Sequence, residues 1–184
     1  MRRFLPLDIT SAIESQIKSV QFRWQAKDNI TADLSGESPF WIIRREKLDK
    51  LLIDEAQKFG SEIIRPVKVD EIIRQGQNWI LRCSDHKKYK STFLVIADGS
   101  ESIWAGHFNL GPRKPKYANT IALRLNGLGN IPKDSVRFEF GFIKYGFAWA
   151  FPLKESTNIG IGTFINNKLL DDEALNQKVI KSFG

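Results

Sequence analysis

Residues 145–163 read Tyr-Gly-Phe-Ala-Trp-Ala-Phe-Pro-Leu-Lys-Glu-Ser-Thr-Asn-Ile-Gly-Ile-Gly-Thr. Phe147, Trp149 and Phe151 alternate with Ala148 and Ala150, so in an extended chain three rings share one face and only methyl groups cover the other. Pro152 ends that strand, because proline has no N–H to give a ladder. The chain returns through Thr157 to Phe164, where Gly160 and Gly162 fall on one face and predict a gap beside the aromatic wall. An ordinary hairpin, with its aromatics in the core and its glycines relieving crowding, satisfies the same pattern. The surrounding sequence has to choose between the two.

Ile121–Leu125 and Ser135–Ile143 precede this hairpin at the spacing of an antiparallel sheet. After it, Asp171-Asp172 ahead of Leu175, Val179 and Phe183 begins a helix, with Lys178 and Lys181 toward its end. Upstream, Gly106–Ala118 reads as a loop and Ser100–Ala105 as one helical turn. Phe93-Leu-Val-Ile-Ala97 predicts a strand buried on both faces, central in a parallel sheet, ending on Asp98-Gly99. Before it, Ile63-Ile64 and Val67–Ile73, Trp79–Cys83 and Tyr89 are extended, joined by turns at Gln75–Asn78 and Asp85–Lys87, which makes a three-stranded meander. Phe40–Ile43 is a short apolar strand with Arg44-Arg45 at its end. Leu48, Leu51, Leu52, Ala56 and Phe59 then recur at helical spacing up to Gly60. At the start of the chain, Thr10 caps a predicted helix through Ile17. Val20, Phe22 and Trp24 follow as a strand, paired through a turn at Lys27-Asp28-Asn29 with a second from Ile30, and Gly36 and Pro39 close the unit.

The chain of 184 residues is 42% hydrophobic and 27% charged, with no apolar run long enough to span a bilayer and no apolar core of a signal peptide after Met1-Arg-Arg. A soluble cytoplasmic protein is expected. Cys83 is the single cysteine, which excludes an internal disulfide and a cysteine-built metal site. The net charge of +7 comes from 28 Lys and Arg against 21 Asp and Glu. Its densest groups, His86-Lys87-Lys88 with Lys90 and Arg113-Lys114 with Lys116, sit in predicted turns, as on a solvated face. No nucleic-acid partner is expected from that distribution. His86 and His107 are the only histidines, one in a polar turn and one beside Gly106. No nucleophile and base are arranged for catalysis, and no metal site is expected.

The string Phe147-x-Trp149-x-Phe151-Pro152, seven residues, then Gly160-x-Gly162-Thr163 resembles the [Tyr/Phe]-x-Trp-x-Phe-Pro…Gly-x-Gly signature of the geranylgeranyl reductase family of flavoproteins. The resemblance implies that Phe147, Trp149, Phe151, Gly160 and Gly162 line a cavity for a long isoprenoid chain beside the flavin. Arg45-Glu-Lys-Leu48-Asp49-Lys-Leu-Leu52 is similar to the Arg-x-x-[Phe/Leu]-Asp-x-x-Leu element of these proteins and of flavoproteins related to p-hydroxybenzoate hydroxylase. There Arg45 would contact the FAD phosphates, as a guanidinium at a strand end can through paired hydrogen bonds; Arg44 is left as a plain surface arginine. Asp98-Gly-Ser-Glu-Ser102 resembles the second fingerprint, Asp-Gly-x-x-Ser, which places Asp98 and Gly99 at the pyrophosphate and ribityl region of FAD. Val69 falls where the family holds adenine through a backbone group. Ala105 stands where related enzymes often carry an arginine, a departure that weakens any NADPH contact there.

No Gly-x-Gly-x-x-Gly opens a strand-to-helix turn in these residues, nor does an acidic residue follow about 20 positions later to hold a ribose. The resemblance therefore maps the chain to the middle of a larger flavoprotein, with the first βαβ unit and the C-terminal flavin element outside it. The fold class it implies is α+β or α/β. It comprises a partial Rossmann-like FAD-binding domain with an antiparallel meander (residues 40–107) and a discontinuous antiparallel-sheet substrate domain (1–39 and 108–184). The function implied is reduction of isoprenoid carbon–carbon double bonds by hydride from reduced flavin, with NADPH or another reductant upstream and peripheral membrane contact. These residues alone would be incomplete for FAD binding and inactive. A non-catalytic remnant or lipid-binding module is the first alternative, and a basic nucleic-acid binder the second.

Overall fold

The structure is a computed structural model that describes residues 7–36, 40–111, 118–127, 129–164 and 173–183, with the side chains of 174–176 and 178 left out. The expectations that rest on Pro39, Arg113-Lys114, Lys116, Asp171-Asp172, Leu175 and Lys178 lie outside these described residues or side chains. In chain order, a 3-10 turn (Thr10–Ala12) leads to strands β1 (Ile13–Ile17), β2 (Ser19–Trp24), β3 (Asn29–Asp33) and β4 (Phe40–Ile43), then helix α1 (Arg45–Lys58). Strands β5 (Val69–Gln75), β6 (Asn78–Cys83) and β7 (Lys88–Ser91) and helix α2 (Ile103–His107) follow. Strands β8 (Asn119–Asn126), β9 (Ser135–Phe140), β10 (Gly146–Pro152) and β11 (Ser156–Thr163) precede helix α3 (Glu173–Ser182). The chain divides into two compact units, Met1–Glu55 with Lys116–Gly184, and Ala56–Pro115.

In the first unit a six-stranded sheet has the order β3-β2-β9-β10-β11-β8. All its pairs are antiparallel except β2 with β9, which run parallel in the register Phe22↔Phe138 and Trp24↔Phe140. In the four-residue β2–β3 loop (25–28), Gln25 and Ala26 stand at φ 50° and 60°, the left-handed pair of a type I′ turn. It is held by Lys27 N–H to the Trp24 carbonyl (2.9 Å) and by Ala26 N–H to Glu139 Oε1 (2.6 Å). β1 and β4 form a separate antiparallel ribbon with Ile17 opposite Phe40.

The expected helix from Thr10 through Ile17 is a correction: only Thr10–Ala12 turns, and Ile13–Ile17 is a strand. A register shift between Ile13 and Ser15 interrupts strict alternation and buries Glu14 and Ile17, three residues apart. That spacing imitates one face of a helix.

The two faces of the large sheet differ along β10. Ala148 and Ala150 are fully buried in a cluster with Ile159, Ile161, Val179 and Phe183, so the methyl face is the one packed on α3. Phe147, Trp149 and Phe151 remain half-buried on the opposite face. The rings are therefore kept out of the α3-facing core, although Phe138 and Phe151 pack on a second buried cluster on their own side. On α1, Leu48 and Leu51 pack with Ile9, Ala12, Trp41 and Ile43, whereas Leu52 and, just past the helix end, Phe59 are exposed.

In the second unit β5, β6 and β7 form the antiparallel meander expected from the sequence, with Ile72 opposite Leu81 and Leu81 opposite Tyr89. Arg82 and Glu71 pair across it at 2.7 Å. The guanidinium of Arg74 stacks 5.0 Å from the Trp79 ring. Cys83 is buried, which pushes its thiol up, with Asp85 and Asp70 adding to the effect. Ser102 Oγ caps α2 by accepting from Ala105 N–H at 2.9 Å, so the helical turn begins slightly later than the sequence suggests.

The expected buried strand Phe93–Ala97 is a second correction: it pairs with no strand among the described residues, and Phe93 and Val95 are 85% and 86% exposed. A parallel strand needs a ladder on each side and helices over both faces; among the described residues nothing supplies them.

Ala150→Leu forces a larger side chain into the α3-facing core and should cost about 1–3 kcal/mol, whereas Phe147→Leu on the half-open face should cost less than about 1.5 kcal/mol. Urea unfolding midpoints of the two variants check that order.

Candidate functional site

The aromatic side of the large sheet is built from rings on neighbouring strands that alternation places on one face. Phe138 on β9 touches Phe147 and Phe151 on β10, with centroids at 5.8 and 5.6 Å. Phe147, Trp149 and Phe151 follow one another at 6.1 Å. Phe22 extends the row through Phe138 (5.9 Å) and Phe140 (6.4 Å), and Phe164 closes it beside Phe147 at 6.5 Å. These distances lie in the attractive range for aromatic pairs.

One end of this face is roofed: Phe151, Phe138 and Phe40 pack on a buried cluster of Ile17, Val20, Ile42, Val136 and Leu153, which joins the sheet to the β1–β4 ribbon. Phe40 meets Phe151 edge-on at 6.4 Å.

Gly160 and Gly162 do not leave the gap expected of them. Trp149 lies opposite Gly160 in the β10–β11 register. A Cβ built on Gly160 would overlap Cζ2 and Cε2 of its indole, and one on Gly162 would come within 3.5 Å of Cζ3. The indole fills the space and donates from Nε1 to Asn158 Oδ1 at 3.0 Å. Glycine is required at 160 by close approach, whereas a Cβ on Gly162 would meet the indole at an ordinary contact distance and Thr120 Cγ2 more tightly, at 3.2 Å. Phe22, Phe40, Phe138, Phe140 and Phe164 belong to the same surface but do not stand out in the 145–163 stretch. The alternation Val136, Phe138, Phe140 was visible, but nothing local says that β2 and β9 are neighbours.

In the second unit Val69 and Asp98 come together in one cavity of about 410 Å³, whose walls include Val67, Ile72, Leu94 and Trp104 and whose polar edge has Lys68 and Glu101. That volume lies within the usual 300–1,000 Å³ of small-molecule sites, roughly speaking. Gly99 follows at φ 97°, with nothing within 4 Å of where a Cβ would be, which leaves its backbone open to a ligand. The exposed His107 lies edge-on to Phe108 (4.8 Å) and Trp104 (5.9 Å). Among the described residues no group of His, Cys, Asp and Glu is placed to hold a metal.

The two arginines at the start of α1 have different roles. Arg45 lies in the first unit, with a side chain 76% exposed and paired with Asp49 at 3.2 Å, so its guanidinium is accessible. Arg44 is not the plain surface arginine expected from sequence. Its Nε donates to Glu14 Oε1 at 2.7 Å, and Glu14 is buried, with Lys47 3.8 Å away. Burial raises the Glu14 carboxyl, but the bond and charge of Arg44, with Lys154 N–H and Lys47, outweigh it and leave it below the ordinary value. A second buried charge group lies on the α3 side. Glu139 is fully buried, 3.9 Å from Arg23, and Arg137 donates to Gln21 Oε1 at 2.9 Å and to the Asn130 carbonyl at 3.3 Å.

No protein-family model matches the chain. Among curated proteins it is 28% identical over 139 residues to an uncharacterised protein of Methanosarcina barkeri, a match covering 74% of this chain and 35% of that protein. It is 24% identical over 129 residues to the digeranylgeranylglycerophospholipid reductase of Methanocaldococcus jannaschii, covering 66% and 33%. Among solved structures it resembles a geranylgeranyl bacteriochlorophyll reductase-like protein of Thermoplasma acidophilum with a TM-score of 0.72 at 21% identity, covering 95% of this chain and 46% of that one. It resembles the halogenase PltM, solved with phloroglucinol and FAD, with a TM-score of 0.72 at 15% identity, covering 94% and 41%. The fold is that of the FAD-dependent flavoproteins, an α+β arrangement. In sequence the chain is similar to digeranylgeranylglycerophospholipid reductases at 24% identity, and in fold to the geranylgeranyl reductase-like protein. It spans about a third of the length of these curated relatives and less than half of these solved chains.

Gly160→Ala should displace the Trp149 indole, shifting its emission to the red and costing about 1–3 kcal/mol in urea unfolding. Because the Glu14 carboxyl is held below its ordinary value of 4.5, its contribution is fully present above that pH and is lost as pH falls through the lower folded value. Arg44→Leu should destabilise at pH 7 by about 3 kcal/mol, near the lower end for a buried pair losing one partner. That difference should shrink as pH is lowered below 4.5, when unfolding is followed from pH 7 into the acid range.

Proposed function

We propose that the chain is the middle portion of an FAD-dependent oxidoreductase that reduces carbon–carbon double bonds of an isoprenoid, in the manner of the reductases it resembles. The single observation that carries this reading is the asymmetry of the large sheet. One face is sealed on α3, and the other presents a continuous row of half-buried rings that is roofed at one end only. A surface of this kind holds a long apolar chain and excludes water from it. Phe147, Trp149 and Phe151 form its centre, and Gly160 leaves the room that the indole of Trp149 occupies, with Gly162 at its edge. By analogy with the phospholipid reductase among its relatives, the proposed substrate is an isoprenoid chain carried on a phospholipid.

The proposed division assigns residues 40–107 to the cofactor and 1–39 with 108–184 to the substrate. The residues present fit the cofactor. Val69 and Asp98 share one cavity, where Val69 would meet adenine through its backbone and Asp98 would accept from a hydroxyl. Gly99 allows close backbone approach, and the accessible guanidinium of Arg45 suits a phosphate. When bound, FAD supplies the hydride chemistry. The proposed reductant is NADPH or another donor; Ala105 offers NADPH no arginine. No helix among the described residues is long and apolar enough to cross a membrane; we place the protein in the cytoplasm at a membrane surface.

Geranylgeraniol titrated into the protein should perturb tryptophan emission. Phe147→Ala should weaken that binding by about tenfold or more, the loss of one buried ring. Ile121→Ala, on the α3 side, should leave it unchanged. Absence of binding, or equal binding by Phe147→Ala, contradicts the reading. In the same preparations FAD should not be retained stoichiometrically, because the glycine-rich helix end that binds pyrophosphate is not among these residues.

A further inference from the structure

We propose that the open end of the aromatic face is a membrane-docking surface, with which the protein sits on an anionic bilayer to take up its lipid. The inference rests on the isoprenoid reading and names the surface through which the chain enters. Opposite the roofed end, the rings of the sheet come to the surface: Trp24 is 57% exposed, Tyr145 61% and Phe164 61%. They are contiguous. Trp24 ends β2 beside Phe140, Phe140 touches Phe147 at 5.8 Å, Phe147 touches Phe164, and Phe164 N–H donates to the Tyr145 carbonyl at 3.0 Å.

The exposed indole is positioned. A Cβ on Gly141 would meet Trp24 Cε2 and Gln25 Cγ at 2.8 Å each, and Gln25 Nε2 donates to the Gly141 carbonyl at 3.1 Å. Trp24 therefore lies against the β9–β10 loop through close backbone approach, as Trp149 lies on β11.

The chemistry of this edge selects the occupant. Tryptophan and tyrosine with lysine beside them suit the boundary between headgroups and acyl chains, where one part of each ring is apolar and another wet. The Lys144 ammonium lies 5.4 Å from the centroid of the Tyr145 ring. On the adjoining turn exposed Lys27 and Asp28 offset each other and Glu139 is buried, so the exposed Lys144 gives the rim its positive charge toward anionic headgroups. The patch is also continuous with the ring-lined face, so a chain drawn from the bilayer would pass along rings without crossing water.

The test is flotation of the full chain with phosphatidylglycerol–phosphatidylcholine vesicles free of isoprenoid. The combined variant Trp24→Ala, Tyr145→Ala, Phe164→Ala should lose about tenfold or more in partition. A Phe93→Ala, Val95→Ala variant, which removes the more exposed apolar pair of the other unit, should partition as the parent does. Lys27→Gln with Lys144→Gln should weaken binding to anionic vesicles alone. Should the triple variant fail to fold, Trp24→Phe decides: it should remove most of the emission quenched by brominated lipid. No flotation of the parent, equal flotation of both aromatic variants, undiminished quenching in Trp24→Phe, or a dimer that the triple variant dissociates overturns the proposal. Retention of geranylgeraniol binding in solution would then confine the failure to docking, and its loss as well would remove the isoprenoid reading.

Discussion

Alternation along Gly146–Pro152 is the constraint from which the large sheet takes its arrangement. β10 is an interior strand, flanked by β9 and β11, and its two faces are unlike in volume. Ala148 and Ala150 are small enough for α3 to settle close, so that Val179 and Phe183 reach the cluster beneath. The bulk that alanine gives up on that side is carried by phenylalanine and tryptophan on the other. A one-residue slip would bury the rings under α3 and expose the methyls; the Trp149↔Gly160 register also opposes it, because only glycine admits the indole at that position.

Charge and aromaticity are segregated by the same sheet. Glu139, Arg23 and Arg137 lie on the α3 side, where strand ends and backbone carbonyls give them partners. The ring face holds no ion pair of its own among the described residues. The buried Glu14 is compensated by Arg44 and Lys47 at the start of α1. That leaves Arg45, the next residue, free of a structural burden beyond its exposed partner Asp49. A buried anion thus separates the two arginines into a structural one and an accessible one, although both sit at the same strand end.

Local patterns were legible wherever one face is sealed and one is not. The hairpin of β10 and β11, the meander of β5 to β7 and the helical spacing at the start of α1 follow from alternation, turn residues and the Gly60 stop. Pairings between distant segments were not. The parallel β2–β9 contact and the β1–β4 ribbon join residues over a hundred and over twenty positions apart, roughly, and such neighbours leave no local mark. The bulge at Ile13–Ser15 disguised a strand as a helix. Phe93–Ala97 reads as a buried strand because its composition reflects neighbours that the described residues do not provide. At the site, the motif rings and glycines were readable, but the fit of Trp149 into the glycine space was not, since a side-chain volume is assigned to a gap only by the register between strands.

The central claim is that the ring face of the large sheet, and not its α3 side, receives an isoprenoid chain. A diazirine-bearing isoprenoid, photolysed in complex with the protein and mapped by mass spectrometry, tests it most directly. The account predicts labels on Phe138, Phe147, Trp149 and Phe151 that unlabelled geranylgeraniol competes away. Labels concentrated on Ile121, Leu123 and Ile180, or scattered without competition, would contradict it.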